Sequence, residues 1–167
     1  MGKSKAAVFD AGPFIHLHEI QQLRLLRLFR HVLTTNEGFE ECKGIAPLLA
    51  ITRSISVREI TAGSKDFTKY LMERYAIQLG EATAIALCKQ ESIRFFFTDD
   101  LEARGAARAV GFEPHGTLAI VLRAYRERLL SKAEAARAVA ALYEESTLFF
   151  TRDLFEWTLQ EIRRFRP

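Results

Sequence analysis

Short apolar runs alternate along the chain with longer stretches in which apolar residues recur every three or four positions. The runs AAVF at 6–9, HVLT at 31–34 and IRFFF at 93–97 predict buried β-strands. A brief further strand is predicted near Phe112. Because the stretches between these runs have helical spacing, the pattern is typical of a parallel sheet in a three-layer α/β/α sandwich with right-handed crossovers.

The helical stretches carry recognisable start and stop residues. Pro13 suits the first turn of a helix whose apolar surface extends from Leu17 to Phe29, the predicted first crossover helix. Gly111 would end the helix that begins at 101, and Ser131 with Glu134 forms a capping box for another. Further helices are predicted after a cap at Thr35 or Asn36, over 66–75, from 79, from 117 and from about 153.

One segment has an ambiguous pattern. Within 47–60, apolar and polar residues alternate from Ile51 to Val57, which predicts a strand or an extended excursion. A turn is predicted to follow at 62–64, where the sequence is Ala-Gly-Ser.

Length and composition favour a single globular domain over residues 1–167. Hydrophobic residues make up 49% of the chain, and no apolar run approaches the ~20 residues that a transmembrane helix needs, so we expect a cytoplasmic protein without a membrane partner. Cys42 and Cys88 lack the spacing of a zinc site and are expected to be buried, reduced thiols.

The net charge of +3 and the pI near 9.0 permit an anionic partner without requiring one. Most of the clustered arginines are interpreted as the solvated faces of helices. They are Arg24, Arg27 and Arg30 in one segment, Arg104 and Arg108 in another, and Arg163, Arg164 and Arg166 at the C-terminus.

Acidic residues recur where predicted strands end or helices begin. They are Asp10, Glu40 or Glu41, Glu81, Asp99 and Asp100. If the strands are parallel, these acids meet at one edge of the sheet, where ligands bind in open α/β folds. Carboxylates so close together repel one another, so a divalent cation would stabilise them, and all-oxygen ligands select Mg²⁺ or Mn²⁺.

Several of these acids also have a simpler structural interpretation. Glu81 is a favourable charge in the first turn of a helix, and Asp99 or Asp100 could act as an N-cap. A structural interpretation fits Asp10 least well, because a turn from strand to helix does not require Asp before Ala-Gly-Pro. The acids indicate a site as a group rather than singly.

The segments VFDAGPFI, FEEC, LGEATAIAL and FFFTDDLEARGAARAVGF, followed by GTLAIVLRA, resemble the acidic motifs of PIN-domain proteins in order and spacing. The resemblance spans about 6–124 and is closest to the VapC-like prokaryotic ribonucleases of the toxin type. The C-terminal helices, about 125–167, are similar to an extension that some members carry. The resemblance implies a PIN-like sheet flanked by helices and a nuclease that cleaves single-stranded RNA with Mg²⁺ or Mn²⁺.

Carried over to matching positions, the resemblance implies a catalytic set. Glu41 fits the second acidic position better than the adjacent Glu40, and Asp99 assists Asp100 in the last motif. The implied catalytic residues are Asp10, Glu41, Glu81, Asp99 and Asp100, of which Asp10, Glu81 and Asp100 would hold the metal.

Three further residues are candidates for contact with substrate. Thr98 would orient a carboxylate or a water through its hydroxyl group. Arg104 and Arg108, one helical turn apart beyond the two aspartates, are placed to meet phosphates at the rim of the site.

The resemblance also implies partners. Many family members are toxins held inactive by an antitoxin, and the apolar faces at 23–29 and 149–157 could dock such a partner or a second copy of the chain in a homodimer. A PIN fold kept only for RNA or protein binding is the alternative hypothesis. A haloacid-dehalogenase-type phosphatase is disfavoured, because that family expects a second Asp where this chain has Gly12.

Overall fold

Within residues 6–50 and 55–165, which the computed structural model describes, five parallel strands form one sheet. The strand order is β3-β2-β1-β4-β5. The strands are β1 (Ala7–Phe9), β2 (Val32–Thr35), β3 (Ile55–Arg58), β4 (Phe95–Phe97) and β5 (Glu113–His115). All four pairings are parallel, which confirms the predicted parallel sheet.

Helices cover both faces of this sheet. They are α1 (Ala11–Glu19), α2 (Asn36–Glu41), α3 (Ala46–Ala50), α4 (Ala62–Tyr75), α5 (Leu79–Gln90), α6 (Leu101–Ala109), α7 (Thr117–Arg126), α8 (Lys132–Glu144) and α9 (Arg152–Arg164). Helices α1 and α7 pack on one face, with α8 and α9 in the same core, and α4, α5 and α6 pack on the other. The predicted three-layer α/β/α sandwich is therefore confirmed.

Alternation along the strands divides the core between the two faces. Phe9 and Phe97 belong to the α1/α7 side, whereas Val8 and Phe96 belong to the α4/α5/α6 side. The rings of Phe9 and Phe97 stack with centroids 4.7 Å apart, and Phe29 meets both of them edge-on. This aromatic cluster lies directly below the residues that follow β1 and β4.

The predicted first crossover helix is wrong in its second half. Helix α1 ends at Glu19, Gln21 adopts a left-handed conformation with φ 56°, and a 3-10 helix follows over Leu23–Leu28. In this segment the buried Leu25 and Leu28 are three residues apart, as are exposed arginines. A spacing of three matches the 3.0 residues per turn of a 3-10 helix better than the 3.6 of an α-helix.

The ambiguous segment contains both a helix and a strand. Helix α3 was not predicted, whereas β3 pairs with β2 and shows that 55–58 is a strand. Residues 51–54 of the predicted alternation lie outside the described residues, as does Arg166. The predicted turn at 62–64 is wrong, because the Ser64 N–H donates to the Thr61 carbonyl at 2.9 Å within the first turn of α4. An isolated β-turn forms the same i to i+3 bond.

The C-terminal helices agree with their predicted starts. Ser131 and Glu134 form the capping box of α8, and Thr151 caps α9 by accepting a hydrogen bond from the Leu154 N–H at 3.3 Å. None of the helices in the described part of the chain combines the length and apolar character needed to cross a bilayer.

Replacement of Phe9 tests the aromatic cluster below the sheet edge. The Phe9 side chain is fully buried, so we expect Phe9→Ala to lower the free energy of unfolding by about 3–5 kcal/mol, measured by urea denaturation. The matched control is Phe149→Ala, because that ring is almost fully exposed and its loss should cost no more than about 0.5 kcal/mol. Equal effects of the two changes would contradict the assigned core.

Candidate active site

The candidate site lies at the topological switch point of the sheet. The chain leaves β1 toward β2 on one side, and β4 lies on the other side of β1. Crevices at such points bind ligands in open α/β sheets. The Asp10 N–H donates to the Phe97 carbonyl at 2.9 Å, and the Thr98 N–H donates to the His115 carbonyl at 2.9 Å. These bonds hold the residues after β1 and β4 side by side.

Asp10 is the most buried acid of the group. It is 6% exposed, and its Oδ2 accepts a hydrogen bond from the Thr98 hydroxyl at 3.0 Å. Its Oδ1 is buried and forms no hydrogen bond to any described residue. Burial raises the pKa of Asp10, opposed by the Ala11 N–H and the Thr98 hydroxyl and increased by the charges of Asp100 and Asp99. An unpaired carboxylate oxygen in such a place is costly unless a cation meets it.

Glu41 reaches the site from the C-terminal end of α2. Thr35 caps this helix by accepting a hydrogen bond from the Gly38 N–H at 3.1 Å, which fixes the helix to the end of β2. The Glu41 Oε1 lies against Gly80 so closely that a Cβ at position 80 would collide with it. Burial raises the pKa of Glu41, and the charge of Asp10 raises it further.

The structure separates Glu41 from its neighbour Glu40. Both side chains are exposed, but Glu40 forms an ion pair with Lys43, with Oε2 and Nζ 3.0 Å apart, whereas Glu41 lies against Gly80. The charge of Asp10 contributes to the raised pKa of Glu41. Glu41 is therefore the one that faces the site.

Glu81 lies in the first turn of α5. Its Oε2 accepts a hydrogen bond from the Gln78 N–H at 2.8 Å, so it is also part of a capping box. Burial raises the pKa of Glu81 to about 7, and the charges of Asp100, Asp10 and Glu41 contribute to the rise. Glu81 is thus a first-turn capping acid, as the simpler interpretation predicted, and it also lies within the electrostatic range of the other acids.

Asp100 caps helix α6 while facing the same group. Its Oδ1 accepts a hydrogen bond from the Ala103 N–H at 2.7 Å. The Asp100 N–H donates to the Thr98 hydroxyl oxygen at 3.3 Å, and that hydroxyl donates in turn to Asp10. Thr98 therefore connects the acid after β1 with the acid after β4, and its contacts are to carboxylate and backbone rather than to solvent.

Asp99 is held by residues that the sequence did not indicate. Its Oδ1 accepts from the Thr117 N–H at 2.7 Å, and its Oδ2 accepts from the Thr117 hydroxyl at 2.5 Å and from His16 Nδ1 at 2.8 Å. A Cβ at Gly116 would come within 2.8 Å of Asp99 Oδ1, so glycine permits this approach. Thr117 follows β5 at the same sheet edge, which was the available signal; nothing local pointed to His16.

The two arginines differ in their surroundings. Arg104 is half-buried beside Asp99 and Gly116, and its Nε forms no hydrogen bond to any described residue. Burial lowers the pKa of Arg104, and the charge of Arg108 lowers it further. Arg108 is exposed one turn further along α6. Arg104 thus presents an incompletely bonded cation next to the acids.

Comparison with known families identifies the fold. A family model described as DUF3368, PIN domain, matches residues 6–164. The chain belongs to the PIN-domain family. No curated protein matches it at a significant level. The PIN domain is a nuclease-type fold, so the acidic group lies in a fold of the kind expected from the sequence motifs.

The residues of this PIN domain fit a hard divalent cation by their chemistry. The group offers carboxylate oxygens, and Asp10 Oδ1 lacks a partner among the described residues. The charges of neighbouring carboxylates contribute to the raised pKa values of Asp10, Glu41 and Glu81. Among the described residues, no three His, Cys, Asp or Glu side chains are grouped so that they could hold a metal ion together, so the acids do not form a preformed cage. Mg²⁺ is bound through one or two carboxylates and keeps several waters, so it does not need such a cage.

The raised pKa of Glu81 makes a testable prediction about pH. Folding raises this pKa from 4.5 to about 7, so between these values the folded state holds a proton that the unfolded state releases. Stability in EDTA should therefore fall as the pH rises through this range. Glu81→Gln keeps the acceptor for Gln78 and removes the charge, so we expect a higher melting temperature than wild type at pH 8 and no difference near pH 4.5.

Glu40→Gln is the control for this measurement, because Glu40 is exposed and paired with Lys43 at the surface. Its melting temperature should follow that of the wild type at both pH values. A Glu81→Gln variant with the same pH dependence as the wild type would contradict the assigned electrostatic strain.

Proposed function

We propose that the protein is an Mg²⁺- or Mn²⁺-dependent endoribonuclease that cleaves single-stranded RNA. The observation that supports this most directly is the buried Asp10 carboxylate, which has one unpaired oxygen and faces other acids at the switch point of a PIN fold. Titratable groups with strongly shifted pKa values in a cleft are typical of functional sites.

Asp10, Glu81 and Asp100 are the proposed metal-holding residues, of which one or two would contact the ion directly, and Glu41 adds a further carboxylate nearby. Their all-oxygen chemistry suits Mg²⁺ or Mn²⁺. When bound, such an ion supplies Lewis-acid stabilisation of a phosphodiester and activation of a water. A bound cation would relieve the mutual repulsion of these acids. The residues that destabilise the metal-free fold by repelling one another would therefore bind the ion.

Thr98 and Asp99 would hold the proposed metal-binding residues in position. Thr98 donates to Asp10 Oδ2 and so leaves Oδ1 as the open ligand atom. Both oxygens of Asp99 already accept hydrogen bonds from Thr117 and His16, so Asp99 is a positioning residue in this proposal. It ties the segment after β4 to α1 and to the start of α7.

Arg104 and Arg108 would bind the phosphates of the RNA strand. Arg104 is the better placed, since its guanidinium lies beside the acids with its Nε unpaired among the described residues. Arginine forms two parallel hydrogen bonds with a phosphate, which fits a residue that must orient the strand. The VapC-like toxin role, an antitoxin partner and a homodimer stay predictions from the sequence resemblance.

The non-catalytic alternative is less consistent with the electrostatics. A module that only binds RNA gains nothing from carboxylates that raise one another's pKa, because they repel a phosphate backbone and destabilise the fold. Such strain is tolerated where a site needs it. We therefore favour a metal-dependent enzyme.

Cleavage of a mixed-sequence single-stranded RNA in Mg²⁺, Mn²⁺ and EDTA tests the proposal. The loss of an outer partner of a metal ligand commonly costs about 10- to 100-fold, so loss of a ligand's charge in Asp10→Asn should lower the rate about 100-fold or more. Asp10→Asn should also fold at least as well as the wild type, since it removes a buried charge. The wild type should be inactive in EDTA.

A matched pair of neighbouring acids sharpens the test. Glu41→Gln should lower the cleavage rate, whereas Glu40→Gln, which alters an exposed acid paired with Lys43, should leave it unchanged. Cleavage that persists in EDTA or in Asp10→Asn would refute the metal site. RNA binding that survives EDTA, without cleavage in any metal, would favour the binding module.

A further inference from the structure

An apolar groove opens beside the acidic site. It has a volume of about 400 Å³ and lies between the starts of α6 and α7 and the segment 148–158. Asp99 and Arg104 line it at one end, so it is continuous with the candidate active site. Its other walls come from residues that the proposed catalytic chemistry does not use.

The groove carries large side chains that are unusually open to solvent. Phe149 is 90% exposed, Leu101 is 74% exposed and Trp157 is 50% exposed. All three line the same groove. Isolated exposed apolar residues are ordinary, but a contiguous apolar patch with a polar rim marks a binding surface.

The backbone that carries these aromatic residues is firmly held. The Thr147 hydroxyl and N–H donate to Glu19 at 2.8 and 2.9 Å, which fastens the segment to α1. Phe150, the residue after Phe149, is buried and meets the Tyr143 ring with centroids 5.4 Å apart. Phe149 is thus displayed from an ordered segment, which lowers the entropic cost of binding a ligand there.

We propose that this groove binds the bases of RNA nucleotides next to the scissile phosphodiester, with Phe149 and Trp157 as stacking surfaces and Arg104 on a phosphate. The proposal rests on the proposed ribonuclease function and extends it to the substrate-binding surface. The C-terminal segment 148–158 would thus help to bind the RNA strand.

The chemistry of the groove favours a single strand of nucleic acid over a protein helix. A single strand alternates flat bases with phosphates, and proteins bind it by combining aromatic rings with cations. Here exposed rings lie next to a guanidinium with an unpaired Nε, and Arg108 adds positive charge one turn away. An apolar helix face would leave this guanidinium buried and without a partner, which is unfavourable.

Trp157 is the one tryptophan in the chain, so its fluorescence reports on the groove directly. The probe is a short single-stranded oligouridylate, titrated in EDTA so that binding is measured without cleavage. We expect saturable quenching of Trp157 by the RNA. Phe149→Ala should weaken binding about 5- to 100-fold, the range for loss of one base–aromatic stack.

Two controls separate stacking from charge and from general loss of aromatic surface. Tyr70→Ala removes another exposed ring, on α4 at the opposite face of the sheet, and should leave the affinity unchanged. An oligomer of the same length without bases should bind through phosphates alone, without quenching Trp157 and without sensitivity to Phe149→Ala.

Outcomes of this experiment are independent of the cleavage assay. Equal affinity of Phe149→Ala and wild type for the oligouridylate, or RNA binding without any change at Trp157, would overturn the groove even if cleavage requires Asp10. Sedimentation that shows a wild-type dimer converted to a monomer by Phe149→Ala would also overturn it, because the groove would then be an interface between copies. Quenching that is lost in Phe149→Ala would support the groove even if no metal supports cleavage.

Discussion

The structure depends on keeping one carboxylate, that of Asp10, at the buried end of the central strand. The preceding residue, Phe9, stacks on Phe97 in the core, and burial raises the pKa of Asp10. Glu41 lies nearby, and the charge of Asp10 raises its pKa. Thr98 satisfies one oxygen of Asp10 and leaves the other without a partner among the described residues. This cost supports the proposal that a divalent cation binds at this end of the strand.

Two sets of residues share the work of building this site. Asp99 is fully engaged with His16 and Thr117 and ties β4 to α1 and α7. Asp10, Glu81 and Asp100 each accept a hydrogen bond at one carboxylate oxygen, and the acids of the group repel one another. Close approaches at Gly80 and Gly116 leave room for Glu41 and Asp99, where any Cβ would interfere. The fully hydrogen-bonded Asp99 therefore lies beside acids that repel one another, as expected where a ligand completes the structure.

Local sequence was enough to locate β1, β2, β4 and β5 and the acids near their ends, because buried strands are short apolar runs. Asp10 follows such a run directly, and Asp100 lies three residues beyond another. The strand β3 was left open, because its segment was not a continuous apolar run. Local sequence could not place contacts between distant segments. Asp99 and His16 are 83 residues apart, and their pairing depends on the order of strands in the sheet. The 3-10 helix was missed because three-residue spacing resembles helical spacing over one turn. The choice between Glu40 and Glu41 required the position of Gly80.

Calorimetric titration with Mg²⁺ and Mn²⁺ at pH 7, in two buffers with different ionisation enthalpies, shows whether these carboxylates bind a divalent cation. Since burial and neighbouring acids raise the pKa of Glu81 to about 7, we expect saturable binding that releases protons. We also expect Asp10→Asn, folded as judged by circular dichroism, to lose this metal binding. Absence of binding to the wild type, or the same binding heat in Asp10→Asn, would contradict a cation site at Asp10 and its neighbouring carboxylates.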